Sequence, residues 1–295
     1  MLDPTRVSDL LGVPVEKITD RGSSHSWTLH HVRLADGREV FVKAAHDQAG
    51  VFAAEAAGLR WLAEAEGGQG VPVAGRGVPV AGVLAADDHH LILPWLPAEP
   101  PGPTAAERFG RELAALHKAS PPTAYGASWP GYIADLPLDN TLTDAESGDA
   151  WPRWYAERRL APFLARASGH LSGPDVALVE RVITEIDDLA GPPEPPSRIH
   201  GDLWSGNVLW SGGRGWLIDP AAHGGHRETD LAMLALFGAP HLSQVLGAYD
   251  EVAPLAAGWR ERVPLHQLHP LLVHVALFGG SYRSAMVEAA RAALG

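Results

Sequence analysis

The chain has 295 residues, 46% of them hydrophobic and 20% charged, which is ordinary for a water-soluble globular protein able to bury a large core in one big domain or two lobes. Lysine and arginine number 23 against 35 aspartates and glutamates, and the net charge of −12 argues against a nucleic-acid or anionic-membrane partner, since either needs a basic face. Cysteine is absent, which excludes disulfides, thiolate zinc sites and cysteine nucleophiles. Met1-Leu2-Asp3-Pro4 lacks a basic stretch followed by an apolar one, and no apolar run approaches the roughly 20 residues that span a bilayer, so a cytoplasmic protein is expected.

Residues 16 to 44 read as a strand meander: Ile18, then Trp27 to Leu34, a turn at Ala35-Asp36-Gly37, and the alternating Val40-Phe41-Val42-Lys43. A helix is predicted from about Val51 to Ala65, with Phe52, Leu59 and Leu62 on its buried face. Val71-Pro72-Val73-Ala74-Gly75 recurs as Val78-Pro79-Val80-Ala81-Gly82, a loop or edge-strand duplication too short for a solenoid. Leu91-Ile92-Leu93 is one more strand. Pro94-Trp95-Leu96-Pro97 then connects a strand-rich first part, residues 1–93, to a helical remainder, residues 98–295. In that remainder Thr104-Ala105-Ala106-Glu107 has the form of a capping box ahead of Phe109, Leu113 and Leu116. Further helices are expected from about Pro174 to Leu189, over Asp230–Phe237 and Leu242–Val252, and in two segments after Pro264 and Ser281. The order of elements predicts an α+β, two-lobed fold with a cleft between the lobes.

The most informative run is His200-Gly201-Asp202-Leu203-Trp204-Ser205-Gly206-Asn207, followed by Asp219. Asp202 and Asn207 have the Asp-x-x-x-x-Asn spacing of a kinase catalytic loop, in which the aspartate takes a hydroxyl proton and the asparagine holds Mg²⁺. Val208-Leu209-Trp210, Ser211-Gly212-Gly213 and Trp216-Leu217-Ile218 read as a hairpin. Its return brings Asn207 and Asp219 to one open end, on strands about 4.8 Å apart, where two oxygen ligands can share Mg²⁺. Chance placement would have to satisfy the loop spacing and the hairpin return together. His200 is expected to order the loop by packing and hydrogen bonding.

Lys43 and Glu55 fit the pair in which a strand lysine contacts α- and β-phosphates and a helix glutamate positions it; taken alone they also fit a snorkelling lysine and a glutamate near a helix N-terminus. Gly22-Ser23-Ser24-His25 lies where a phosphate-covering loop belongs, and an ordinary hairpin turn explains it equally well. Pro94 has no N–H, but its carbonyl can accept from the adenine amine while the Leu96 N–H donates to the ring; a rigid apolar hinge is the other reading, and the two are compatible. His223, His226, His266 and His269 lack a third ligand at metalloprotease or zinc spacing, and no Gly-x-Ser-x-Gly elbow occurs.

These residues resemble the fructosamine kinase (ketosamine kinase) family, which belongs with the aminoglycoside phosphotransferases and has the bilobal protein-kinase-like fold. The resemblance rests on the run from His200 to Asn207, on Asp219-Pro220-Ala221, and on Gly225-His226-Arg227-Glu228 through Asp230-Leu231-Ala232-Met233. Gly131-Tyr132-Ile133, Asn140, Trp154-Tyr155 and Phe278-Gly279-Gly280-Ser281-Tyr282 also look like family segments. The resemblance implies ATP and Mg²⁺ as cofactors, Asp202 as catalytic base, Asn207 and Asp219 as metal ligands, and Lys43 with Glu55 as the phosphate-positioning pair. It also implies that Trp204, His226, Arg227 and His274 face a sugar, and that Asp230 holds the catalytic loop. The activity implied is phosphorylation of a ketosamine at its 3-hydroxyl, with a phosphotransferase for an aminoglycoside- or choline-type amine as the alternative. A pseudokinase is the more distant alternative, because the lysine, catalytic aspartate and metal aspartate are all present. His223 and Gly224 replace two aromatic residues usual in the family, and Arg21-Gly22-Ser23 stands where a second glycine is common.

Overall fold

Alternating apolar and polar side chains, rich in β-branched and aromatic residues, pair three successive segments as an antiparallel meander: β1 (Val15–Ser24), β2 (Trp27–Leu34) and β3 (Glu39–Ala44). In this computed structural model, which describes residues 2–46, 50–65, 77–143 and 150–295, β4 (Ala85–Ala86) and β5 (His90–Pro94) complete a sheet of order β1-β2-β3-β5-β4. Helix α2 (Val51–Glu64) packs on one face of the sheet and fully buries Phe52, Leu59 and Leu62. Each such side chain contributes roughly 1.5–3 kcal/mol by leaving water. The other face carries a short helix that the sequence reading did not anticipate, α1 (Pro4–Leu11), capped by Asp3 accepting from the Thr5 N–H at 2.9 Å and stopped by Gly12 at φ 67°.

The second lobe is mainly helical, as expected. It comprises α3 (Pro103–Lys118), the hairpin β6 (Gly131–Ile133) and β7 (Leu136–Leu138), and α4 (Ala150–Tyr155), which runs through a π-helical turn into α5 (Ala161–Ala167). Then come α6 (Gly173–Thr184), α7 (Ile186–Leu189), β8 (Ser197–Ile199), the hairpin β9 (Val208–Ser211) and β10 (Arg214–Leu217), and β11 (His223–Gly225), paired with β8. Helices α8 (Glu228–Leu236), α9 (Leu242–Val252), α10 (Trp259–Phe278) and α11 (Arg283–Leu294) close the chain. The largest core cluster runs from α2 and β5 through α3 into the β9–β10 hairpin and α9, so the two lobes share apolar packing beneath the cleft.

Several boundaries differ from the sequence reading. Thr104 caps nothing: α3 starts at Pro103 after Gly102, because proline pre-sets the first helical φ and has no N–H to cap. The segment 174–189 is two helices, broken at Glu185, and its capping box is Ser172 with Asp175. Pro264 does not open a helix but sits inside α10, which begins at Trp259. Of the repeated Val-Pro-Val-Ala-Gly pair, the first copy lies outside the described residues. The second runs beside β10 as an edge, with the Leu217 N–H donating to the Pro79 carbonyl at 2.8 Å and the Ala81 N–H to the Leu217 carbonyl at 3.0 Å.

Two packing features set testable demands. Helices α3 and α9 meet so closely at Gly110 that a methyl group there would collide with the Val245 carbonyl. Glu228, at the start of α8, is buried against Arg262 of α10 through two hydrogen bonds of 2.6 and 2.9 Å, with His266 standing 3.4 Å away. Burial pushes the Glu228 carboxyl up, but the nearby His266 and the bonds from Arg262 outweigh it and hold the group at about 2. That folded value lies below the unfolded one of roughly 4.3, so the charge stabilises the fold above that pH and the gain is lost as pH falls toward 2.

Gly110→Ala is expected to destabilise the protein by about 1–3 kcal/mol through overpacking; a urea midpoint unchanged by the methyl group would contradict the close approach. Glu228→Gln should cost about 3–5 kcal/mol near neutrality by leaving Arg262 charged and unpaired. Its deficit against wild type should narrow between about pH 5 and about pH 2.5. Urea unfolding across that range measures the gap, and a deficit that does not change with pH would rule out the carboxylate as its source.

Candidate active site in the interlobe cleft

The β9–β10 hairpin turns on Gly212 and Gly213, both at positive φ (59° and 69°), as a two-residue turn between paired Ser211 and Arg214 requires. The register ends with Val208 opposite Leu217, and the next contact is the Ile218 N–H donating to the Asn207 carbonyl at 3.2 Å. Asn207 and Asp219 therefore stand side by side at the open end, as the sequence predicts. Asp219 has φ 54°, a strained conformation for a side chain with a β-carbon, found where the surrounding structure over-determines it.

Asn207 donates from Nδ2 to the Asp202 carbonyl (2.8 Å), to the Asp202 carboxylate (3.0 Å) and to the Asp219 carbonyl (3.4 Å). Its donors being so engaged, its Oδ1 remains as the atom with lone pairs to offer a cation. This donor set, an amide oxygen beside the Asp219 carboxylate, fits Mg²⁺, which takes few protein oxygens and keeps other positions for water or phosphate. Burial raises the Asp202 carboxyl to about 7; the Asn207 bond lowers it and nearby Asp230 raises it further.

The loop is held from behind. Asp230 accepts the N–H groups of His200 (2.8 Å) and Gly201 (2.9 Å) and a bond from His117 Nε2 (3.1 Å). Burial opposes the Asp230 charge, yet these partners keep it below the ordinary carboxylate range. His200 donates from Nε2 to the Ile218 carbonyl at 2.8 Å and accepts the Asp202 N–H on Nδ1 at 3.2 Å, which fixes one neutral tautomer. Burial lowers its pKa in keeping with that neutrality. Trp204 lies across Gly206, where any β-carbon would strike the indole.

From the other lobe, Lys43 on β3 is 3% exposed and reaches both Glu55 oxygens at 3.0 Å. The same ammonium touches the Asp219 carboxylate. The pair anticipated between β3 and α2 is thus formed and is joined directly to Asp219.

Three compartments adjoin in the cleft. An apolar slot lies between Phe41, Ala81, Leu93, Leu209 and Ile218, and Pro94, Leu96 and Asp219 also line it. Pro94 occupies a register position opposite Val40, and the flanking bond, from the Trp95 N–H to the Glu39 carbonyl, marks 94 as a non-hydrogen-bonded site. Its missing N–H costs no ladder bond, and its carbonyl faces away from β3, on the same side as that of Ile92. The second compartment holds Lys43, Glu55, Asp202, Asn207 and Asp219, walled by Gly131–Ala134. The third is an aromatic pocket of Trp204, Phe237, His274 and Tyr282 that shares Asp202 and Trp204 with the second.

Not every expected residue reaches this cleft. Gly22 and Ser23 lie in β1 around a bulge, with Ser23 paired to Thr28, and do not line the central compartment, whereas Ser24 and His25 do; the turn itself is just His25 and Ser26. Arg227 is consumed elsewhere, in two 2.7 Å bonds to Glu194 and in bonds to the carbonyls of Ala253 and Pro254. His226 is buried against Trp151 and His266 in the layer that holds Glu228. Although His226, Glu228 and His266 place ligand atoms within 4.8 Å of one another, Arg262 engages both Glu228 oxygens, so the cluster is a buried ion pair with its neighbours. His274 does line the aromatic pocket; its Nδ1 donates to the Pro270 carbonyl at 2.7 Å, and burial lowers its pKa. Phe237 and Tyr282 were not foreseen as site residues: Tyr282 ends a segment singled out only for its family likeness, and no spacing marks side chains that converge from the ends of α8 and α10.

Comparison with known proteins agrees with this fold. The fructosamine kinase family model matches residues 14–294. A probable ketoamine kinase of Thermus thermophilus is 34% identical over 256 residues, 86% of each chain. One of Synechocystis is 34% identical over 204 residues, 68% of this chain and 65% of its own, so that match spans just under two thirds of the relative. The crystal structure of a candidate fructosamine-3-kinase from Thermobifida fusca is 54% identical and superposes with a TM-score of 0.90, covering 99% of this chain and 98% of the other. The chain belongs to the fructosamine kinase, or ketoamine kinase, family.

Proposed function

We propose that the chain is an ATP-dependent phosphotransferase that phosphorylates a sugar hydroxyl of ketosamines, the 3-hydroxyl by family resemblance, and so takes part in removing glycation adducts. The observation that carries this reading is the adjacency of the three compartments, with Asp219 between the first two and Asp202 between the last two. Residues 1–93 then form the nucleotide lobe, 94–97 the hinge, and 98–295 the catalytic and substrate lobe. Adenine fits the apolar slot, with the Pro94 carbonyl accepting from its amine and the Leu96 N–H donating to its ring. Lys43, aligned by Glu55, contacts the phosphates, and Asn207 and Asp219 hold Mg²⁺, which supplies charge neutralisation when bound. Ser24 brings its backbone over the phosphates.

Asp202 takes the proton of the acceptor hydroxyl. A carboxylate at its ordinary value would be a weak base at neutral pH, and burial brings this one to about 7, matched to the task. Trp204 and His274 face the sugar in an aromatic pocket, whose ring faces suit both a sugar's C–H surface and a protonated secondary amine.

Asp202→Asn should lower kcat by roughly 10² to 10⁴ while nucleotide affinity stays close to wild type. Steady-state ADP release and calorimetric titration with an ATP analogue separate the two effects, and undiminished turnover in the folded variant would remove Asp202 from the chemistry. ADP release with ribulose-, erythrulose- and fructose-lysine, free and on protein, against aminoglycosides and choline tests the acceptor. Activity confined to the latter group rejects the ketosamine reading.

A further inference from the structure

The β1–β2 turn holds a residue that the roles above leave unused. Ser24 pairs with Trp27, so the turn has only two residues, His25 and Ser26. His25 adopts φ 51°, in the left-handed region where such turns usually place glycine or asparagine. A histidine there is conformationally unfavourable, and strain of this kind gathers at functional positions. Among the described residues no hydrogen bond holds its imidazole; its one ring neighbour is Trp27, 5.2 Å away between centroids.

Position and charge supply the rest. His25 lines both the central compartment and the aromatic pocket, as Asp202 and Trp204 do, so it stands at the boundary where acceptor oxygen and γ-phosphorus must meet. The central compartment is bordered by three carboxylates, Glu55, Asp202 and Asp219. Among the described residues lining it, Lys43 is the single lysine or arginine, and it is committed to Glu55 and Asp219 at the nucleotide end. Phosphoryl transfer spreads negative charge over three oxygens, and these need donors on the acceptor side as well.

We propose that His25 is a further catalytic residue, whose imidazole N–H donates a hydrogen bond to a non-bridging oxygen of the phosphoryl group in transit. This rests on the phosphotransferase reading above. The acceptor oxygen bonds to the γ-phosphorus, the bond from that phosphorus to the β–γ bridging oxygen breaks, the hydroxyl proton passes to Asp202, and His25 keeps its own proton throughout. The products are ADP and a phosphate monoester.

The test uses His25→Gly and His25→Asn, both at home in this turn, in the full chain. Each should lower kcat on the order of 10²-fold. Affinity for Mg²⁺ and an ATP analogue, by calorimetry, should stay near wild type. The melting temperature of His25→Gly should be unchanged or higher, since glycine relieves the strained φ. A purely structural role predicts the opposite in melting temperature. Turnover within about threefold of wild type in both variants overturns the proposal, as does a loss of nucleotide affinity as large as the loss of rate. Hydrolysis of ATP with water as acceptor is followed in parallel. If the wild-type chain hydrolyses ATP but phosphorylates no ketosamine, the substrate reading fails, while the His25 comparison is still decided on hydrolysis.

Discussion

The buried ammonium of Lys43 joins three parts of the chain that are far apart in sequence. It sits on β3, is held by both oxygens of Glu55 on α2, and touches Asp219 at the foot of the β9–β10 hairpin. A charge this well buried is tolerated only when paired, because an isolated ion loses far more on leaving water than packing returns. The sheet, the helix and the hairpin must therefore occupy fixed relative positions for the charge to be satisfied. Those are the elements that bring the apolar slot and the loop carrying Asp202 into register, so one electrostatic requirement sets the geometry of the cleft.

A second buried charge secures the loop on the opposite side. Asp230 lies inside the helical lobe, and its cost is met by two backbone N–H groups of the catalytic loop and by His117, which in turn bonds Tyr249 at 2.8 Å. Because the loop supplies donors that Asp230 needs, moving the loop would strand a buried carboxylate. His200 adds a constraint of tautomer: with Nε2 donating to the hairpin and Nδ1 accepting from the Asp202 N–H, the residue can link loop to hairpin only while neutral. Burial keeps it so. Asp202 is thus oriented by its own backbone and by Asn207, leaving its carboxylate at the boundary between the central compartment and the aromatic pocket.

What could be read from the sequence follows from how local each constraint is. Asp202, Asn207 and Asp219 lie within one loop and one hairpin, so spacing, a glycine turn and a period-two pattern were enough to bring them together. Lys43 and Glu55 are twelve residues apart across a single strand-to-helix connection, and they too were legible. Arg227 misled because a run of charged residues next to the catalytic segment says nothing about the partner chosen by tertiary structure, here Glu194, thirty-three residues earlier. The capping box at Thr104 misled for a local reason: proline at 103 had already supplied the helix start. The aromatic pocket was the least legible, since Trp204, Phe237, His274 and Tyr282 come from separate elements and meet only through the packing of α8 and α10.

The contacts of α2 explain why Glu55 stands where Lys43 can pair with it. In kinase-type sites the helix bearing the glutamate must be in place for the lysine to be aligned. Here α2 is gripped along its length by the other lobe. At its N-terminal end a β-carbon on Gly50 would lie 3.1 Å from the Tyr132 hydroxyl of the β6–β7 hairpin, and at its middle Gly58 is close enough to Ala222 that an added β-carbon would stand 3.2 Å from it. Toward its C-terminal end Trp61 packs edge-on against Trp129 at 5.5 Å, with the Arg198 guanidinium over its indole and bonded to its carbonyl. Ala222 follows directly on Asp219-Pro220-Ala221, and Trp129 and Tyr132 belong to the wall of the central compartment, so the surfaces that fix α2 are those that flank Lys43, Asp202 and Asp219. Swinging α2 outward would open an apolar interface and break the Lys43 pair in the same motion. The glutamate is held in place by packing.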